Sequence, residues 1–121
     1  MKARLLGDSL RLRLSQSEVV EVAEGGSVAN RTRFPGGSSL QFVLRQHAAP
    51  QWQARISDNA VLIDAPAPTV MQWAKGDDVS IDASLSIAAD ATLTILVEKD
   101  FACLTSRPGD EDCFPHPASA D

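Results

Sequence analysis

Three pairs of basic residues, Lys2/Arg4, Arg11/Arg13 and Arg31/Arg33, each have a single residue between their members. On a strand, i, i+2 spacing puts both members on one face. Ala3/Leu5, Leu10/Leu12/Leu14 and Thr32/Phe34 then take the other face. Guanidinium groups gathered on one sheet face would hold phosphates or carboxylates through forked, charge-assisted hydrogen bonds. Arg4, Arg11, Arg13, Arg31 and Arg33 are therefore the candidate anion- or partner-binding residues, provided that their strands are neighbours. The competing reading is a solvated face whose arginines pair with the domain's own acids.

Other chemistry is thinly represented. Cys103, Cys113 and His116, with Asp110, Glu111 and Asp112, mix soft and hard metal ligands near the C-terminal end. Their spacing lacks the paired half-sites of a zinc knuckle, so they are weak metal candidates and no cofactor is expected. There is no Tyr, and the two histidines are His47 and His116. No Gly-rich phosphate loop, Gly-x-Ser-x-Gly elbow or His-Glu-x-x-His motif occurs. Glu98 and Asp100 share a strand face with no recognisable acid–base partner. A non-enzymatic protein is the expectation.

The elements that would position the arginines are legible from periodicity. Lys2 to Leu6 and Leu10 to Leu14 alternate apolar with polar around Gly7-Asp8-Ser9, which predicts a tight hairpin. Trp52 to Ile56 and Val61 to Ala65 repeat this around Asp58-Asn59. Ser15-Gln16-Ser17-Glu18 is a capping-box pattern, and Pro66 and Pro68 suit the start of a second helix. Val19, Val22 and Ala23, matched by Val70, Trp73 and Ala74, form apolar stripes at i, i+3, i+4, with Trp73 expected in the core. Gly25 and Gly76 are read as left-handed helix ends. Further strands are predicted at 28–34, 40–46, 79–85 and 92–98. Helices this short must dock on a sheet to persist.

A shift of 51 residues lays 3–28 on 54–79 without a gap, with six identities: Ala3/Ala54, Arg4/Arg55, Val19/Val70, Ala23/Ala74, Gly25/Gly76 and Val28/Val79. Unrelated segments of that length would share roughly one or two. With two extra residues the match resumes at Leu40–Leu44 on Leu93–Val97. The fold class expected is mainly β with two short helices. A tandem duplication of a ββαββ unit would form one pseudo-twofold, barrel-like domain of about eight strands. Repeat one spans 2–46 and repeat two 53–99, within a single domain 1–99. An acidic, Pro-containing tail follows at 100–121, in which Phe101 and Phe114 would pin the chain to the domain while the acids stay wet or cover the basic face.

Each repeat resembles the swapped-hairpin units of AbrB- and MazE-type DNA-binding proteins. The resemblance rests on Lys2-Ala3-Arg4-Leu5-Leu6-Gly7-Asp8-Ser9-Leu10-Arg11-Leu12-Arg13-Leu14, the helix and Gly25-Gly26-Ser27-Val28, and on Gly76-Asp77-Asp78-Val79-Ser80-Ile81 in the second copy. It implies a dimer fused into one polypeptide and a DNA-binding regulator as one function. The second copy carries Leu62 and Asp64 where the first has Arg11 and Arg13, so a DNA site read by both halves is not expected. The whole chain also resembles a family of short bacterial proteins of unknown function. Its opening is of the Arg-Leu-x-Gly-x-Ser-Leu-Arg-Leu-Arg-Leu kind, and Glu98-Lys99-Asp100-Phe101-Ala102-Cys103-Leu104 leads into an acidic tail.

Charge sharpens the choice among partners. The net charge is −5, yet residues 1–50 hold seven bases against four acids while residues 51–121 hold four bases against twelve acids. An acidic whole disfavours non-specific nucleic-acid binding, which draws its affinity from counterion release over a basic footprint. The expected function is a non-enzymatic binding or regulatory module that uses the basic face for an acidic protein or small anion. Alternatives are an AbrB-like regulator and a small anion- or triphosphate-processing barrel enzyme. For the last, Lys2-Ala3-Arg4 lacks the carboxylates of the Glu-x-Glu-x-Lys strand of triphosphate-tunnel enzymes. No run of apolar residues suits a membrane span or signal core, so a cytoplasmic monomer or weak dimer with reduced cysteines is expected.

Overall fold

Tight turns set the first register. The loop Gly7-Asp8 is closed by reciprocal backbone hydrogen bonds of 3.1 Å between Leu6 and Ser9, with Gly7 at φ +56. In the second copy Asp58 and Asn59 take φ 51 and 62, the left-handed pair that suits a two-residue hairpin. The computed structural model describes residues 1–101 and 112–115, and Cys103, Asp110, Glu111 and His116 lie outside them. The elements are β1 (Lys2–Leu5), β2 (Ser9–Leu14), α1 (Gln16–Ala23), β3 (Ser27–Arg33), β4 (Ser39–His47), β5 (Gln53–Ser57), β6 (Ala60–Pro66), α2 (Ala67–Lys75), β7 (Ser80–Ala88) and β8 (Ala91–Lys99).

The eight strands form two four-stranded sheets, ordered β1-β2-β8-β7 and β3-β4-β6-β5. Each sheet takes one hairpin from each repeat. They join through a central parallel seam, β2 with β8 in the first sheet and β4 with β6 in the second. Exchanging the repeats maps one sheet order onto the other, so the pseudo-twofold expectation holds. The barrel does not close. Among the described strands no ladder joins the sheets, and where β1 nears β3 the link is a side-chain bond from Asn30 Nδ2 to the Met1 carbonyl, 2.6 Å.

One core lies between the sheets and beneath both helices. It takes Leu10, Leu12, Leu14, Ile95 and Val97 from the first sheet, Val28, Leu44, Ile63 and Ala65 from the second, and Val19, Val22, Val70 and Trp73 from the helices. Each fully buried aliphatic side chain stabilises the fold by about 1.5–3 kcal/mol. Trp73, 1% exposed, satisfies its indole N–H on the Val79 carbonyl at 3.1 Å. The capping box forms at α1, with Glu18 Oε1 accepting from the Ser15 N–H at 2.9 Å. Strand β4 and strand β8 reach the ends of the helices in their own repeats. Gln46 Nε2 donates to the carbonyls of Val22 and Ala23, both at 2.9 Å, and Lys99 Nζ donates to that of Gly76, also at 2.9 Å.

The two-residue insertion sits elsewhere than the alignment suggests. Val28 faces Leu44, and the residue facing Val97 in the second copy is Ile81, not Val79. A shift of 53 therefore already applies at β7, and the insertion lies in the connection from α2. Gly76 accordingly does not repeat the role of Gly25. Gly25 has φ +94, whereas Gly76 is extended at φ −97, ψ −170. Val79 is 44% exposed while Val28 is buried, which the insertion explains.

A cationic face on the first hairpin

The β1–β2 register is what assembles the basic residues. Lys2 lies directly opposite Arg13, and Arg4 directly opposite Arg11. Because Ala3, Leu10, Leu12 and Leu14 pack inward, all four cations share the outer face of the first sheet. Opposed side chains on an antiparallel pair have Cβ atoms about 4.5–5.5 Å apart, and like charges there destabilise the hairpin. The four line one open groove of 180 Å³.

Some of that charge is met internally. Glu98, opposite Arg13 across the β2–β8 seam, accepts from Arg13 Nε at 2.6 Å and lies 3.6 Å from Arg11 Nε. Lys2 Nζ lies 2.8 Å from Asp100. Arg4 forms no ion pair with a described residue. The face therefore combines the two expected readings, with two carboxylates set against four cations.

Arg31 and Arg33 do not line this groove. They lie on β3, an edge of the other sheet, opposite Gln41 and Ser39. Alternation showed which face of its strand each arginine takes, but not which strand lies beside it. The second sheet also holds an acid–base pair absent from the sequence-based set. Arg45 Nε and Nη2 donate to the two carboxylate oxygens of Asp64 at 2.9 and 3.3 Å, and Arg55 Nη1 lies 3.9 Å from Asp64. Glu98 and Asp64 were named from the sequence, but their partners were missed, Arg13 for Glu98 and Arg45 for Asp64. The available signal was that the matched positions 13/64 and 45/98 carry opposite charges.

The described part of the tail docks beside this face. Phe114 packs against the core, its ring centroid 5.7 Å from that of Phe101, and its N–H donates to the Asp100 carbonyl at 2.8 Å. Lys99 Nζ sits 5.9 Å from the Trp73 ring and 5.5 Å from the Phe114 ring, a cation held by two aromatic faces. Gln16 donates through its backbone N–H to the Asp112 carbonyl at 2.9 Å and through Nε2 to the Cys113 carbonyl at 2.7 Å. Asp112 also accepts from the Ser17 hydroxyl. Cys113 Sγ lies 3.7 Å from Asp100 Oδ2.

Two carboxyls here are held below their ordinary values. Burial pushes Glu18 up, but hydrogen bonds from the Met1 ammonium and the Ser15 backbone, the ammonium charge and the Ser15 hydroxyl together outweigh it. For Asp112 the Ser17 hydroxyl is the largest cause, followed by Ser15. Asp112 also sits at the N-terminal turn of α1, where a negative charge favours the helix dipole.

Of the metal candidates, Cys103 and His116 lie outside the described residues. Among the described residues no three His, Cys, Asp or Glu side chains are placed to hold a metal ion. No described helix is long and apolar enough to cross a membrane.

The family whose sequence model matches this chain is described as a family of unknown function (DUF7009), and the match covers residues 1–118. No curated protein and no solved structure matches.

Proposed function

The chain belongs to that family of unknown function, and we propose that it is a non-enzymatic binding module whose β1–β2 outer face takes a small anion or the acidic segment of a partner protein. The observation that carries the reading is the register of the hairpin, which sets Lys2 against Arg13 and Arg4 against Arg11. Two opposed like-charge pairs weaken a hairpin unless an anion bridges them. In the second copy the same positions read Gln53 opposite Asp64 and Arg55 opposite Leu62, with no such clustering. The strain thus belongs to one hairpin and not to the shared architecture.

Arg13 is a poor residue for the test, because an acid there would face Glu98 across the seam. Arg4→Glu is better, since it places a carboxylate opposite Arg11 and relieves the hairpin. Pyrophosphate and a polyglutamate peptide, titrated calorimetrically at low and moderate salt, are the probes. Wild type should bind at least one of them with marked salt dependence, and Arg4→Glu should bind about tenfold or more weakly with a melting temperature no lower than that of wild type. No binding of either probe at low salt, or equal binding by the variant, would remove the reading.

An AbrB-like DNA-binding role is a second reading, supported by the exchange of hairpins between the repeats. A mobility-shift assay of the full chain at low salt addresses it. Absence of any shift would dispose of it.

A further inference from the structure

We propose that the two seams are charge-coded, so that each repeat pairs with an unlike repeat and not with the same repeat of a second copy. Both seams carry one ion pair at the same place in the pseudo-twofold scheme. Position 13 on β2 corresponds to 64 on β6, and position 98 on β8 corresponds to 45 on β4. At the first seam Arg13 faces Glu98, and at the second Asp64 faces Arg45. The polarity is reversed. Repeat one therefore supplies a base to each seam, Arg13 and Arg45, and repeat two an acid to each, Asp64 and Glu98.

The reversal matters because the topology is open to exchange. Each sheet is completed by a hairpin of the other repeat, and the backbone ladder does not distinguish which molecule provides it. If repeat one paired with repeat one of another copy, Arg13 would face Arg45 at both seams. If repeat two paired with itself, Asp64 would face Glu98 at both. Side-chain exposures of 7% for Asp64 and 16% for Glu98 make that second encounter the more severe. Each carboxylate also has a second guanidinium in reach, Arg55 for Asp64 and Arg11 for Glu98, so both are tuned to meet a base. Had both repeats kept one acid and one base, as in a symmetric homodimer, like pairing would bring opposite charges together and closure within one chain would compete with association between chains.

The test uses full-length chains unfolded in urea with a reductant, refolded at high protein concentration and sized by chromatography with light scattering. Arg13→Glu with Glu98→Arg keeps an acid opposite a base at every seam but gives both repeats the same polarity. Arg45→Asp with Asp64→Arg does so independently at the other seam. The quadruple variant reverses both seams and restores unlike repeats. Wild type and quadruple should return as monomers, and each double should return an oligomeric fraction raised about tenfold or more. The idea is overturned if the doubles refold as cleanly monomeric as wild type, or if the quadruple forms as much oligomer as they do. It is equally overturned if wild type returns as an oligomer, or if neither double refolds.

Discussion

At the β4–β6 seam Asp64 is 7% exposed and gripped through both carboxylate oxygens by Arg45, whereas at the β2–β8 seam Glu98 is 16% exposed and held through a single oxygen by Arg13 and Arg11. The helices above the seams differ in the same direction. At matched positions α1 presents Val22 and α2 presents Trp73, both fully buried. Repeat two thus contributes the large aromatic of the core and the more deeply buried charge, while repeat one contributes exposed cations. One backbone plan has been divided between a half that mainly consolidates and a half that mainly displays charge.

Substitutions at matched positions break this comparison most directly. Trp73→Ala should cost about 3–5 kcal/mol of unfolding free energy in urea, because it empties a fully buried site and leaves the Val79 carbonyl with the Lys99 N–H alone. Val22→Ala should cost about 1–2 kcal/mol. Equal losses would show that the halves share the core evenly. Next, Arg45→Ala should destabilise by about 2–3 kcal/mol, since it leaves Asp64 buried with only the more distant Arg55. Arg13→Ala should cost under about 1 kcal/mol, because Glu98 keeps Arg11 and is more accessible to water. The reverse order would assign the deeper electrostatic role to the first seam.

The smallest effect expected is a pH dependence centred on the N-terminal turn of α1, where Glu18 and Asp112 both accept hydrogen bonds. Glu18 and Asp112 have folded values below their ordinary ones. Their contribution is therefore complete above the ordinary carboxylate range and is lost as pH falls through and below it. The N-terminal turn of α1 should loosen on acidification before that of α2, which begins at Pro66 and Pro68 with no acid in its first turn. Amide hydrogen exchange at Val19 and Val70, followed from neutral to acidic pH, measures this. Simultaneous loss at both helices would contradict it.

All ten elements were legible in the sequence because strand alternation, the capping box of Ser15 and Glu18 and the prolines at 66 and 68 each reflect local physics. Partnership was less legible. Alternation assigns Arg11, Arg13, Arg31 and Arg33 to strand faces, but the neighbours of those strands depend on hairpins exchanged between repeats. Arg13 and Glu98 lie 85 residues apart, and no local pattern links them. The position of the insertion was obscured by two coincidences, Gly25/Gly76 and Val28/Val79. Identity held there while backbone conformation and burial did not.

The exchanged topology also sets an order of events during synthesis. The second sheet is contiguous in the chain, since β3, β4, β5 and β6 run from Ser27 to Pro66 and can assemble as soon as they emerge. The first sheet cannot. Its opening hairpin ends at Leu14, yet its seam partner β8 begins at Ala91, so the inward-facing leucines of β2 and its seam edge wait until both helices and every other strand have been made. Such a waiting edge is the kind of surface that nascent-chain chaperones cover. In this protein the core cannot close until β8 has been made.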